Sequence, residues 1–229
     1  MKEEIIVISL GGSLIIPDDI DVDFLKDFKE LIVAQINIGK KFVIVTGGGK
    51  ICRKYQKVAK EISNPSNDDL DWIGIASLRL NAQLLRVIFR DYTHPKIIKD
   101  TDEHIDFDLP LVVGSANKPG HSTDWVAIML AKNVGTKKVI NLSNTDYVYD
   151  FDPNVNKNAK KIEKISWTEY RKLIPKDWNP GLNTPFDPIA SKLAEEEGME
   201  VVIMNGKPIE NLANYLKGEK FLGTVISCQ

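Results

Sequence analysis

The sequence has little of the side-chain chemistry that would announce a function at once. Only two cysteines, Cys52 and Cys228, and three histidines occur in 229 residues. Two thiols build no disulfide framework; they read as reduced and predict a cytoplasmic protein. Charge of one sign is also missing. Thirty lysines and arginines face 32 acids, a formal net charge of −2, so no chain-wide basic field draws in nucleic acid and any anion site must be local. Long apolar runs are absent too. The first, "IIVISL", follows Glu3 and Glu4 and is too short for a signal peptide or a membrane span, so no membrane partner is expected. No internal repeat or low-complexity tract appears.

What is present is an ordinary globular composition, 43% hydrophobic and 27% charged, long enough for one large core or two tightly joined lobes. Short β-type runs alternate with longer helical stretches. The strands are expected at Ile5–Leu10, Phe42–Thr46, Lys96–Ile98, Leu111–Val113, Lys138–Leu142, Glu200–Met204 and Thr224–Ser227. Most are continuous apolar runs, the pattern of strands covered on both faces. Helices are expected at Val22–Ile38, Lys50–Ile62, Leu70–Asp91, Thr123–Val134, Ser166–Leu173, Pro188–Glu197 and Pro208–Leu216. The alternation predicts an α/β fold with a mainly parallel sheet. The proline-rich stretch "IPKDWNPGLNTPFDP" reads as a long loop, either a lid with substrate contacts or a passive connector.

Two predicted strands end in glycine. "SLGGSL" (9–14) follows the first, and "VTGGGKICRKY" (45–55) contains the end of the second. Loops without side chains let backbone N–H groups approach phosphate oxygens. At 100° per residue, Lys50, Arg53, Lys54, Lys57 and Lys60 share one face of the following helix, and Ile51, Tyr55, Val58, Ala59 and Ile62 share the other, expected to face a core. Cations in a first helical turn oppose the helix dipole unless an anion sits there, which singles out Lys50 and Arg53. The stretch is not a Walker A loop, because Ile44 and Ile51 stand where that motif needs Gly and Ser or Thr.

Two more polar clusters follow predicted strands. "NKPGHSTDWVA" (117–127) offers donors from Asn117, Lys118, His121, Ser122 and Thr123 around the turn at Pro119 and Gly120. Ser122 or Thr123 can cap the next helix, and Asp124 either complements its dipole or orients catalytic cations. "LSNTDYVYDFDP" (142–153) gathers Ser143, Asn144, Tyr149 and Asp152, as a nucleotide contact or as a polar loop with Asx turns.

Taken in order, "GGSL", "GGGK" with "RKY", "DWIGI", "PGHSTD", "SNTDYVY" with "DP", and "FDPIASKLA" resemble the amino acid kinase superfamily, and within it the archaeal-type uridylate (UMP) kinases, from end to end. The resemblance implies a three-layer α/β/α sandwich with a mainly parallel central sheet. It implies one domain over 1–229, with an acceptor-binding half to about residue 137 and an ATP-binding half after it. The implied reaction is transfer of the ATP γ-phosphoryl group to UMP, with Mg²⁺ carried by ATP, in a cytoplasmic homohexamer built as a trimer of dimers. By matching position, Ser9, Gly11, Gly12, Ser13, Gly49 and Arg53 would meet the ATP phosphates, with Ser143, Asn144, Tyr149 and Asp152 on the adenosine side. Gly48, Asp71 and the run from Asn117 through Thr123 would hold UMP. Lys50, Arg53 and Asp124 would be catalytic.

Three departures stand out. Many superfamily members carry a lysine where this chain has Ser9, which leaves Lys50, or Lys192, to supply the charge. Tyr147 occupies a usual glycine position, and Ser143 a usual threonine. The other readings are a kinase of another small phosphate or carboxylate acceptor, or a catalytically silent nucleotide sensor. Isopentenyl phosphate kinase fits less well, because the acceptor loop lacks a histidine expected after its glycines.

Overall fold

The computed structural model describes residues 4–153, 155–177, 182 and 184–228. The strands are β1 (Ile5–Leu10), β2 (Lys41–Thr46), β3 (Leu111–Gly114), β4 (Lys138–Ser143), β5 (Val148–Tyr149), β6 (Lys161–Ile162), β7 (Lys164–Ser166), β8 (Glu200–Asn205) and β9 (Thr224–Ser227). The helices are α1 (Gly12–Ile15), α2 (Val22–Asn37), α3 (Gly49–Ile62), α4 (Asn67–Ile88), α5 (Thr123–Asn133), α6 (Trp167–Leu173), α7 (Pro188–Glu196) and α8 (Glu210–Leu216). Seven strands make one sheet in the order β3-β2-β1-β4-β8-β9-β7. Every neighbouring pair is parallel except β8 with β9.

Successive side chains of a strand point to opposite faces, and both faces here are apolar. Val7, Val43, Val112, Val139 and Val201 pack on one side with α5, α6 and α7. Ile8, Ile44, Val113, Ile140 and Val202 pack on the other with α1, α2 and α8. That two-sided burial makes the three layers and explains why the strands read as unbroken apolar runs. Each buried aliphatic side chain contributes about 1.5–3 kcal/mol, and truncating Phe28, fully buried at the centre of α2, would cost roughly 3–5 kcal/mol.

Local signals set the helix starts. Ser66 and Asp69 form a reciprocal capping box that opens α4 three residues before the periodicity predicted. Asp187 caps α7, with Pro188 at its first position. Several expectations need correction. Lys96–Ile98 is not a strand; Ile98 makes only an isolated bridge to Gly114, and the polar neighbours Lys99 and Asp100 carry the chain away from the sheet. The apolar stripe of α3 does not face the core: Tyr55, Val58 and Ile62 are 62%, 51% and 82% exposed. Only α3's first residue, Gly49, is buried, because the helix packs on α4 outside the sheet. The four-residue α1 and the short β5, β6 and β7 were not anticipated.

The carboxyl ends of β1, β2, β3 and β4 lie side by side. The strand order reverses at β1, which has β2 and β3 on one side and β4 and β8 on the other. In open α/β sheets ligands bind in the crevice outside such a reversal.

Candidate active site

A cleft of about 680 Å³ opens at that crevice. Its walls come from the loops after β1, β2 and β4, the start of α5, and the segment leading into α7.

The two glycine loops meet backbone to backbone. A Cβ on Gly12 would stand 2.0 Å from the Gly49 nitrogen, and one on Gly49 would reach 2.6 Å from the Gly12 oxygen. Gly49 also has φ +71°, a conformation that side chains disfavour. So the glycines permit two loops to interlock as well as leaving the main chain bare. Gly47 N–H donates to Leu10 O at 2.9 Å and Lys50 N–H to Ile16 O at 3.1 Å, which ties the second loop to the first. The N–H groups of Gly12, Ser13, Gly48 and Gly49 have no acceptor among the described residues, and all four residues line the cleft.

The floor carries two carboxylates. Asp124 Oδ1 accepts Ser9 Oγ–H at 3.1 Å and Asn141 Nδ2–H at 2.9 Å, and its Oδ2 accepts Asp187 N–H at 3.2 Å. Asp187 in turn accepts from Ser122 Oγ and from the N–H groups of Ile189 and Ala190. Burial and then the neighbouring Asp187 push the Asp124 carboxyl up to about 7. Burial also raises Asp187. Uncharged donors, not a cation, hold this pair, so at neutral pH it retains a proton for part of the time.

One wall bears Asp71, whose Oδ2 accepts Gly120 N–H at 2.8 Å, fastening the 117–123 loop to α4. Burial raises Asp71 and lowers His121. His121 stacks on Trp125 with ring centroids 3.8 Å apart. A lowered His121 is neutral at pH 7 and places no charge in the cleft, and its buried Nδ1 has no partner among the described residues.

Of the residues expected at a site, the cleft gathers Ser9, Gly11, Gly12, Ser13, Gly48, Gly49, Arg53, Asp71, His121, Ser122, Thr123, Asp124, Ser143 and Asn144. Asn117, Lys118, Pro119, Gly120, Tyr149 and Asp152 are not in its lining. Neither are the two lysines offered as replacements for a lysine at position 9. Lys50 Nζ pairs with Asp18, and Lys192 Nζ lies 3.8 Å from Glu196. Arg53 is the one cationic side chain among the described lining residues. Tyr147 has no positive φ, so it suits its position without strain. Part of the proline-rich loop does reach the cleft, through Leu182, Thr184 and Pro185; residues 178–181 and 183 lie outside the described residues.

Two site residues escaped the sequence reading. Asn141 is a lone polar residue inside the apolar strand "KVINLS", which is the signal that could have found it. Asp187 stands before Pro188 in "FDPIASKLA", the Asp-Pro signal of a helix start, which marks a cap and not a second role in the site.

Residues 4–205 match the family model described as the amino acid kinase family. The chain belongs to the amino acid kinase family. A uridylate kinase of Pyrococcus abyssi is 33% identical to this chain over 225 residues, 96% of this chain and 98% of that one. A uridylate kinase of Thermoplasma acidophilum is 34% identical, covering 97% and 96%. The crystal structure of uridylate kinase from Archaeoglobus fulgidus superposes with a TM-score of 0.81 at 32% identity, covering 98% of this chain and all of that one.

Proposed function

We propose that this member of the family is a UMP kinase, transferring the γ-phosphoryl group of ATP to UMP to give UDP and ADP. The observation that carries the reading is the meeting of the two glycine loops, with four N–H groups unaccepted among the described residues and Arg53 lining the same cleft. Phosphoryl transfer asks little covalent chemistry of a protein. It asks for in-line placement and positive charge around the equatorial oxygens. Bare main chain and one guanidinium supply both.

In this reading Gly11, Gly12, Ser13 and Gly49 lie along the ATP phosphates, and Ser143 and Asn144, with Tyr149 and Asp152 beyond them, lie towards the adenosine. Gly48, Asp71 and the 117–123 loop hold UMP, Asp71 through the ribose. Residues to about 137 form the acceptor half, and the rest form the ATP half. Arg53 carries the charge that Lys50 was expected to share, since the Lys50 side chain is turned to Asp18. Magnesium enters with ATP as part of the substrate. Asp124 orders the floor beneath the phosphates. The protein works as a cytoplasmic homohexamer, a trimer of dimers, in which a neighbouring subunit covers the apolar side chains that α3 leaves exposed.

Coupled ADP release with UMP, CMP, isopentenyl phosphate and acetylglutamate tests the reading. Turnover with UMP is the expected outcome. Turnover only with another acceptor, or ATP binding with no turnover at all, would replace it.

A further inference from the structure

The Gly47 carbonyl is held from behind. It accepts the Asn81 Nδ2–H at 2.8 Å. Asn81 sits within α4 at 1% exposure, between Leu78 and Ala82, which are both buried. A buried amide on an apolar helix face costs desolvation unless its bond matters to the fold or the site.

The peptide geometry says what that bond does. Among the described residues the only cis bond is Lys207–Pro208, so the Gly47–Gly48 peptide is trans. In a trans peptide the carbonyl and the following N–H point in opposite directions. Holding Gly47 C=O towards α4 turns Gly48 N–H away from α4, and Gly48 lines the cleft with that N–H unaccepted. The same glycine is fixed on two other sides. Its N–H donates to Leu10 O, and a Cβ on it would reach 2.6 Å from the Gly12 nitrogen. Both of those restraints are main chain. Asn81 is the restraint that a substitution can remove, and a loop of three glycines has no side chains of its own to hold it in place.

α4 also holds the acceptor loop. Asp71 accepts Gly120 N–H, and Arg79 donates to Ala116 O at 3.3 Å and Asn117 O at 3.4 Å. One helix therefore sets the separation between the loop proposed to guide the phosphoryl group and the loop proposed to hold its acceptor. We infer that Asn81 is a positioning residue for phosphoryl transfer, acting through the Gly47 carbonyl to aim Gly48 N–H into the cleft. This rests on the UMP kinase reading of that cleft.

The test compares kcat, KM for UMP and ATP, and melting temperature in wild type, Asn81→Ala, Asn81→Leu and Thr46→Val. Asn81→Leu keeps a side chain of similar length and branching and removes the donor. Thr46 is fully buried and donates to Leu78 O at 2.9 Å, in the same seam between β2 and α4 but without touching the loop carbonyl. Both Asn81 variants are expected to lose about ten- to a hundredfold in kcat, the scale of a small misplacement of reacting groups, with each KM within about threefold. Thr46→Val is expected to lower the melting temperature and keep kcat. Near wild-type kcat in a folded Asn81 variant overturns the inference. So does a kcat loss that tracks the melting temperature as it does in Thr46→Val, and so does failure of both Asn81 variants to fold, which would make the residue structural. Wild-type protein inactive on UMP would instead bring down the reading of the cleft, a different result from active wild type with active Asn81 variants.

Discussion

The floor of the cleft and the outer face of α3 handle charge in opposite ways. On α3, Arg53, Lys54, Lys57 and Lys60 stand in solvent, where like charges are screened and cost little. On the floor, Asp124 and Asp187 are buried, and no cation lies beside them. A lysine at position 9 would neutralise that pair. Ser9 contributes one uncharged hydrogen bond, so the floor retains a proton for part of the time. In the proposed reaction that difference puts the catalytic charge at the mouth, on Arg53, and not on the floor.

Arg53→Ala is the harshest test of that division. Removing a donor to the charge of the transition state costs roughly 2.7–4 kcal/mol of barrier by analogy with oxyanion holes, so kcat should fall about a hundred- to a thousandfold. Because Arg53 is exposed and makes no ion pair among the described residues, the melting temperature should stay close to wild type. A thermal melt beside steady-state kinetics checks both halves. Loss of fold with normal specific activity in the folded fraction would remove Arg53 from the site.

Asp124→Asn probes the floor. The carboxyl is near its ordinary 3.8 in the unfolded chain and about 7 in the folded one. Between those values the folded protein binds more protons than the unfolded, so stability falls as pH rises from about 4 to about 7 and stays reduced above. Melting temperatures across pH 5 to 8 should show that decline in wild type and a flatter profile in Asp124→Asn. His121, whose ring is lowered by burial, has the opposite slope below its usual 6.5 and should persist in the variant. Turnover should drop sharply as well, because the amide places an N–H where Asp187 N–H now finds an acceptor. An unchanged pH profile would show that the pair is not buried as described.

The same contrast marks what the sequence could tell. β1, β2, β4 and β8 were legible because both faces of each are buried, and a continuous apolar run has few other readings. The loops that line the cleft were legible as glycine and polar clusters at strand ends. Three things were not. The four-residue α1 begins at Gly12, a poor helix former, and is held by contact with the second loop, which lies far along the chain. β7 is an edge strand of three residues, too short for any period. The stripe on α3 was visible, but a period shows that a face is apolar and not what will cover it. Among the described residues little covers Tyr55, Val58 and Ile62, and the proposed oligomer would. Val58→Glu with Ile62→Glu should therefore shift sedimentation to a smaller species while leaving the fold intact. Unchanged assembly would move the interface elsewhere.

Lys50 offers the smallest expected effect and the finest discrimination. Its backbone belongs to the site, because Lys50 N–H donates to Ile16 O and locks the second glycine loop against α1. Its side chain leaves the site for Asp18, and that ammonium in turn holds the Asp18 carboxyl below the usual range. Alanine keeps the backbone bond and removes only the ion pair, and exposed pairs contribute little. Lys50→Ala should thus keep kcat within about threefold, well short of the loss expected for a donor that touches the phosphoryl group. A loss approaching that of Arg53→Ala would mean that the ammonium swings from Asp18 into the cleft when nucleotide binds. The catalytic charge would then be shared by two side chains, and the contrast between floor and mouth would hold only for the empty site.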